Sequence, residues 1–452
     1  MKDLTQGSIP KHVVEMAVPM AVGLVVQTLY FLVDLYFVGK LGDVALAGVS
    51  AAGNSMFLVI ALTQILGVGT VALISHAVGR NDQENANLVF NQSLLLAAWL
   101  GIATLVVGYL ESDRYMLAIA ADGATVEAGL TYLYWYLPGM ALQFAMVAMG
   151  SALRGTGIVK PTMVVQMLSV VLNIILAPVL IAGWGTGHPL GVAGAGLAST
   201  LAVAAGVVLL WLYFHRLEKY VSVKRELWRP QLPVWKRMLG IGFPAGGEFI
   251  LLFAYMAIIY WAIRDFGAAA QAGFGLGTRV MQAIFLPAMA LAFSAPAVAG
   301  QNFGARQPDR VRETFRWTAM MSSAVMLSLT GLCQFESTLL VKGFSIDADV
   351  VAVAATFLAI ISWNFVPSGI IFTCSGMFQG MGNTWPAFAS TATRLLTFAL
   401  PVMWISRHEG FAIEQVWYLS VTTVSLQALL SYLLLRREFS RRLNFVANAV
   451  SA

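Results

Sequence analysis

The stretch VVQTLYFLVDLYFVGKLG, residues 25–42, carries one carboxylate, Asp34, in an otherwise apolar run. The run covers residues 13–38, long enough as a helix to cross the roughly 30 Å hydrocarbon core of a bilayer. A charge at mid-bilayer costs about 2.5–3.5 kcal/mol on insertion scales, so Asp34 requires a reason to be there. Gln27, Tyr30 and Asp34 recur at spacings of three and four residues and share one helix face. The spacing predicts a polar stripe that faces the protein interior or a cavity rather than lipid.

The rest of the chain repeats this apolar pattern. Its 452 residues are 59% hydrophobic and 11% charged, whereas soluble domains have about a quarter charged. This composition excludes a disordered chain and a coiled coil, and two cysteines exclude a disulfide scaffold. The runs are too long and too continuous for the strands of a membrane barrel. We therefore predict an all-α polytopic membrane protein with twelve transmembrane helices, at residues 13–38, 49–76, 91–110, 129–150, 161–182, 192–214, 238–262, 273–299, 317–335, 351–374, 386–406 and 415–435.

The positive residues predict how these helices are oriented. With both termini inside, the cytoplasmic segments hold twenty of the 27 lysines and arginines and the outer loops hold five. Cytoplasmic loops of membrane proteins are enriched in these residues. The net charge of +5 therefore indicates basic inner loops and no nucleic-acid partner. We predict a multi-pass protein of the cell inner (plasma) membrane with both termini cytoplasmic.

The second half of the sequence repeats the glycine and proline pattern of the first. A shift of 225 residues places Pro19 on Pro244, Gly42 on Gly267, Gly79 on Gly304, Gly157 on Gly382, and Pro161 on Pro386. We call this shift the repeat offset. Glycine and proline mark backbone geometry, so their alignment indicates two halves with one fold.

The duplication predicts the domain organisation. We predict an N-lobe at 1–214, a basic cytoplasmic linker at 215–237 and a C-lobe at 238–452. Each lobe holds six helices of the same topology, an arrangement typical of secondary transporters.

Several chemistries leave no trace in the sequence. There is no GxxxxGK[ST] loop for ATP phosphates, and no HExxH or Cys/His cluster for a metal. Neither a cofactor nor a metal site is expected. Transport must then be driven by an ion gradient, with H⁺ or Na⁺ as the coupling ion, and this requires an ionisable group inside the membrane.

Asp34 is the first candidate for that group. Burial away from water favours the protonated form of a carboxylate, which suits proton uptake and release. The phenol of Tyr30 can hydrogen-bond Asp34 from one turn away. The alternative is that Asp34 only ties helices together.

A second polar face lies in PTMVVQMLSVVLNIILAP, residues 161–178. Gln166, Ser169 and Asn173 share this face, and Asn173 can join a network with Asp34 if the two helices are neighbours. Interhelical hydrogen bonding is the competing role, since amides commonly serve it in membranes.

The second half offers Glu248 and Tyr255 on one face of GFPAGGEFILLFAY, residues 242–255. They could form an anionic wall for a cationic substrate, or Glu248 could be a solvated carboxylate near the membrane surface. Two arginines fall within spans. Arg279 is expected to snorkel or pair with an acid, and Arg394 to make a structural pair or contact a backbone carbonyl.

Taken together, five segments resemble the MATE (multidrug and toxic compound extrusion) family, and the resemblance covers nearly the whole chain. These segments are VDLYFVGKLGDVALAGVS (33–50), GRNDQENA (79–86), SALRGTGIVKP (151–161), GQNFGARQPDRV (300–311) and GMFQGMGNTWP (376–386). The resemblance implies two six-helix lobes that form a V-shaped cavity, and exchange of H⁺ or Na⁺ for organic cations and other amphipathic compounds. It implies that Asp34, Tyr30 and Asn173 are the ion-coupling residues.

The chain departs from the family pattern where some branches carry further acids. Ala177, Leu252 and Ser368 stand at those positions. Sodium prefers several oxygen ligands, so the loss of acids favours protons.

The sequence therefore predicts a cation-coupled (H⁺) antiporter, not an enzyme, that exports amphipathic or cationic organic compounds. Gln27, Gln166, Ser169, Glu248 and Tyr255 would line its substrate cavity. Its partners would be small-molecule drugs or organic cations and membrane lipids, with no nucleic acid and no obligate protein partner evident. Two alternatives remain open. A lipid or lipid-linked oligosaccharide flippase would need a more basic cavity, and an intramembrane polyprenyl-phosphate transferase would need paired acids or bases at a surface loop.

Overall fold

The computed structural model describes residues 1–120, 122–342 and 347–445, without the side chains of residues 30–32, 34 and 35. Helices, and no strands, form the regular structure of this part of the chain. They are α1 (Ile9–Gly39), α2 (Asp43–Gly53), α3 (Met56–Gly79), α4 (Gln83–Ile119), α5 (Gly123–Gly155), α6 (Lys160–Ala182), α7 (Val192–Arg216), α8 (Leu232–Ala262), α9 (Ala268–Gly304), α10 (Pro308–Lys342), α11 (Ala348–Ile361), α12 (Phe365–Met381), α13 (Trp385–Ile405) and α14 (Ile413–Arg442). Within the described residues, twelve segments are long and apolar enough to cross a membrane. The predicted all-α class and the twelve spans are confirmed.

Two spans consist of paired helices. α2 and α3 meet at Asn54 and Ser55, and α11 and α12 meet at a 3₁₀ turn, Ser362–Asn364. Several helices also continue well beyond the predicted ends. α4 has 37 residues, about 55 Å at 1.5 Å per residue, and so exceeds the hydrocarbon core. Its apolar pattern stops before the helix does, and for this reason the sequence places the polar residues at its ends in loops.

The duplication is visible in the backbone. Four helices of the first half and four of the second begin at positions related by the repeat offset: Asp43 and Ala268, Gln83 and Pro308, Gly123 and Ala348, Lys160 and Trp385. Left-handed backbone recurs at the same offset, at Gly42 and Gly267, Asn81 and Arg306, Gly157 and Gly382, Gly185 and Gly410. The two predicted six-helix repeats are thereby confirmed.

The chain forms two compact units. The first unit contains Met1–Asp3 and Val22–Gly242, and the second unit contains Leu4–Ala21 and Phe243–Ala452. In the first unit α5 packs against α2, α3, α4 and α7, and in the second α9 packs against α10, α11 and α12. The predicted lobe boundaries at 214 and 238 differ from these units, because contacts place Leu4–Ala21 with the second unit and the linker with the first. The division into lobes stays a prediction.

The linker is held along α4 by three buried amide side chains, Asn87, Asn91 and Gln92. Asn91 Oδ1 accepts from the backbone N–H of Lys224 at 2.8 Å and from Trp228 Nε1 at 3.1 Å. Gln92 Nε2 donates to two linker carbonyls at 2.7 and 2.8 Å, and its Oε1 accepts from a linker N–H at 2.9 Å. These hydrogen bonds satisfy backbone groups of the linker much as a neighbouring β-strand would. The linker therefore follows a fixed path along α4. We call Asn87, Asn91 and Gln92 the amide clamp.

Candidate functional site

One face of α6 carries the polar residues predicted for the first half. The helix begins with Pro161 in its first turn, where a missing N–H has no cost, and ends at Gly183 in a left-handed cap. Ser169 and Asn173 are buried, with 9% and 0% of their surfaces exposed. The opposite side of the helix exposes large apolar side chains, namely Val164, Leu168, Val171 and Ile175. The predicted division of α6 into an apolar and a polar face is what the structure shows.

This polar face has unmet hydrogen-bonding capacity. Among the described residues, no partner reaches Ser169 Oγ or either amide atom of Asn173. A buried polar group without a partner costs about 1–3 kcal/mol. Residues whose role is to join helices would be expected to bond each other. Donors and acceptors that the described side chains leave open are suited to a side chain outside the described residues, or to a polar ligand such as a water molecule or a cation.

α1 and α6 are neighbours at Gln27 and Gln166. Gln166 Nε2 donates to Gln27 Oε1 at 3.4 Å, and a Cβ atom built on Gly23 would lie 2.9 Å from Gln166 Oε1. Gln27 thus faces α6, as expected for a member of the polar stripe, and so does Gly23, one turn before it. Tyr30 and Asp34 lie in α1, but their side chains are outside the described residues. Their contacts with Asn173 stay a prediction.

In the second unit, Glu248 lies against α12. Ser375 Oγ donates to Glu248 Oε2 at 3.2 Å, and Gln379 Nε2 donates to Ser375 Oγ at 3.4 Å. The Glu248 side chain is partly buried and forms no ion pair with the part of the chain that is described. A carboxylate in a membrane span with only neutral partners keeps its charge available for a cation or its oxygen available for a proton.

Tyr255 belongs to a different group of residues from Glu248. It is 5% exposed, shares a 2.7 Å hydrogen bond with Ser420 Oγ, and packs on Phe398 with ring centroids 4.7 Å apart. The Arg394 guanidinium lies over the Tyr255 ring, with Cζ 4.1 Å from the ring centroid. The structural pair expected for Arg394 is therefore a contact with an aromatic ring. Arg279, by contrast, is exposed.

Sequence reasoning missed the neutral members of this group, Asn364, Ser420 and Gln427, which are all buried. Asn364 Nδ2 donates to Ser420 Oγ at 3.2 Å. Single amides and hydroxyls are common in membrane helices, so their type gives no signal. Their position relative to the charge of Arg394 identifies them, and this position is known only once the fold is known.

Comparisons with known proteins agree with this architecture. The MatE family profile matches residues 19–179 and 244–405, one match in each half. The chain is 26% identical to "Probable multidrug resistance protein YoeA" of Bacillus subtilis (strain 168), covering 92% of this chain and 91% of that protein. It is 25% identical to "Multidrug export protein MepA" of Staphylococcus aureus (strain MSSA476), covering 82% of each. A solved structure of a MOP superfamily transporter from Pyrococcus furiosus Vc1 superposes with a TM-score of 0.89 at 25% identity, over 97% of both chains.

The two matched segments span most of the chain and coincide with its two repeats. The resemblance inferred from five sequence segments is confirmed, and the transferase alternative is set aside because the relatives are transporters. The chain belongs to the MatE family of multi-pass membrane transporters.

Proposed function

We propose that the protein is a proton-coupled antiporter that exports amphipathic organic compounds, with Asp34 as the proton site. The observation that carries the proposal is the buried polar face of Ser169 and Asn173 on α6, which has no hydrogen-bond partner among the described side chains. Multidrug efflux as the substrate class is supported by the relatives named for multidrug resistance and export. The bacterial relatives and the distribution of positive residues support an inner-membrane location with cytoplasmic termini.

The register of α1 and α6 supports a meeting of Asp34 with Asn173. As the first and fifth spans, the two helices cross the membrane in the same direction. Gln27 contacts Gln166, and Asp34 and Asn173 each follow seven residues later, about 10 Å further along their helices. A carboxylate at that level would meet the open amide of Asn173. The pair would then alternate between a protonated form bonded to the amide and an ionised form that attracts a cation.

The lining of this face favours a proton over sodium. Ala177, one turn beyond Asn173, is fully buried and presents a methyl group where some branches of the family carry an acid. Sodium must replace its hydration shell with several oxygens, whereas a proton needs one basic atom. Asp34, Tyr30 and Asn173 suffice for the proton.

The experiment is efflux of a cationic dye from proteoliposomes that contain the full chain. A proton gradient alone should drive efflux, and a sodium gradient at equal pH on both sides should not. Asp34→Asn should abolish proton-driven efflux. The matched control is Asp43→Asn, an exposed aspartate at the start of α2, which should retain it. Sodium-driven efflux lost in Asp34→Asn would overturn the proton assignment, and full activity of Asp34→Asn would overturn the site.

A further inference from the structure

The duplication places an arginine in the second half where the first half has a serine. The repeat offset relates Arg394 of α13 to Ser169 of α6, and it relates Tyr255 of α8 to Tyr30 of α1. Asp34 itself corresponds to Ile259. The first half therefore combines this tyrosine with an acid, and the second half combines it with a base.

Arg394 has fewer partners than its charge requires. Nη1 donates to Gln427 Oε1 at 3.5 Å, which is a long hydrogen bond, and the Tyr255 ring covers one face of the guanidinium. Nε is buried and has no hydrogen-bond partner in the part of the chain that the structure describes. No carboxylate of the described residues forms an ion pair with Arg394. A guanidinium has five N–H donors, so most of those of Arg394 find no acceptor among the described residues.

The position of Arg394 makes this shortage costly. It is near the middle of α13, a 21-residue membrane span. A charge at that depth is expensive unless it is paired. The exposed side of the helix is lined by Leu396, Leu400 and Met403, which lie on the opposite face from Arg394 at 100° per residue. Arg394 is thus directed into the second unit and away from the side where lipid would lie.

The neighbours of Arg394 are held in place. Gln427 Nε2 donates to Thr391 Oγ1 at 3.1 Å, which turns its Oε1 towards the arginine. The Tyr255 hydroxyl is bonded to Ser420, which also accepts from Asn364. An arginine fixed between a ring and an amide keeps the edge of its guanidinium free and pre-oriented. Carboxylate and phosphate groups match that edge with two parallel hydrogen bonds.

We propose that Arg394 binds a carboxylate or phosphate group carried by a transported amphipathic molecule. The proposal rests on the transport function proposed above and extends it to substrates that carry an anionic group, including zwitterions. Tyr255 and Gln427 position the guanidinium, and Arg394 supplies the charge. Uptake of the anionic group would satisfy the donors that the second unit leaves open.

The test uses two rhodamine dyes, one with a free carboxylate and the other its methyl ester, which differ only in that group. Their binding to the purified full chain in detergent is measured by fluorescence anisotropy, without any ion gradient. Arg394→Gln should weaken binding of the carboxylate dye about ten-fold or more and leave the ester nearly unchanged. The control is Arg407→Gln, an exposed arginine just beyond α13, which should bind both dyes like the wild type.

Equal losses for both dyes, or none, would overturn the proposal. Arg394→Lys keeps the charge but not the paired donors, so it should fall between wild type and Arg394→Gln for the carboxylate dye only. This variant decides the question if Arg394→Gln does not fold. Because binding needs no gradient, Arg394-dependent binding without efflux would overturn only the antiport proposal. Normal efflux without Arg394-dependent binding would overturn only this inference.

An anionic lipid headgroup has the same chemistry as the proposed ligand. The dye titrations are therefore repeated in nanodiscs of phosphatidylcholine alone and with added phosphatidylglycerol. The ratio of wild-type to Arg394→Gln affinity for the carboxylate dye should be the same in both. A ratio that falls towards one when phosphatidylglycerol is present would show that lipid occupies the site, and would overturn its assignment to substrate.

Discussion

The backbone of Gly242 on α8 lies so close to Ile65 on α3 that a Cβ atom at position 242 would overlap the Ile65 carbonyl group. Gly69, one turn further along α3, stands in the same relation to the carbonyl of Met238, one turn earlier on α8. The two glycines therefore allow an antiparallel crossing at backbone contact within the first unit. Small residues commonly permit such close approach in membranes.

Gly242→Ala should destabilise the protein by about 1–3 kcal/mol, because the methyl group meets backbone that cannot rotate away. Gly240 is the matched control, since it lies on the same helix with nothing within 4 Å of its Cβ position. Gly240→Ala should be neutral or stabilising by up to about 1 kcal/mol, from helix propensity. Thermal unfolding in detergent measures both. Equal stability of the two variants would contradict the close crossing.

Asn173→Leu should abolish transport and leave the stability of the protein nearly unchanged. The exchange keeps the number of side-chain heavy atoms. The loss of the hydrogen bond proposed with Asp34 is offset by the removal of two buried amide atoms that have no partner among the described side chains, whose desolvation costs about 1–3 kcal/mol. A residue that holds helices together would lose stability and activity at the same time. Thermal unfolding and proton-driven dye efflux, measured on the same preparation, distinguish the two roles. A less stable Asn173→Leu protein would show that Asn173 has a structural partner.

Arg306→Asn should stabilise the protein by about 1 kcal/mol. Arg306 is exposed and has a left-handed backbone with φ of 56°, a conformation that costs most L-residues about 1–2 kcal/mol and that asparagine tolerates better. The equivalent residue of the first half, Asn81, has the same φ. Arg312→Asn, at an exposed site inside α10, should be neutral or slightly destabilising. A fall in melting temperature for Arg306→Asn would indicate that its side chain has an important contact.

Asn91→Ala should release the linker. Three hydrogen bonds to linker groups are lost, those of Ser222 O, Lys224 N and Trp228 Nε1, which together correspond to about 2–3 kcal/mol. Trypsin should then cleave after Lys224 and Arg225 much faster than in the wild type. Gln83→Ala removes one exposed hydrogen bond to the linker and should change the rate little. Unchanged digestion of the Asn91 variant would mean that the amide clamp does not restrain the linker.

The sequence predicts the spans and the duplication well, because each depends on local pattern. An apolar run of about 20 residues is long enough to cross a bilayer as a helix. Gly157 and Gly382 mark turns that the structure shows as left-handed. The polar face of α6 is likewise a matter of helical spacing. What local pattern cannot supply is a partner distant in the chain. Arg394 on α13 contacts Tyr255 on α8, and its unused donors become evident only when the surroundings are known.

The amide clamp is a second contact between distant parts of the chain that local sequence pattern does not predict. Asn87 precedes the predicted span at 91–110, and Asn91 and Gln92 begin it, so the sequence gives no sign that they bind the linker. The linker reads as a basic loop, since its seven positive residues dominate it. The complementarity lies between side-chain amides and backbone groups, and backbone groups are the same in every sequence. The side chains of the linker therefore give no sequence signal for these hydrogen bonds.

Fastened at several points along α4, the linker has no slack. The spacing of the amides on α4 determines the path of the linker between Tyr220 and Gln231. The distance that this part of the linker spans therefore does not depend on its number of residues. Extra residues inserted between two fastened points would bulge outwards as a separate loop and would leave the end of α7 and the start of α8 where they are. A fluorescent or affinity module could thus be carried there without lengthening the connection between the two halves of the carrier.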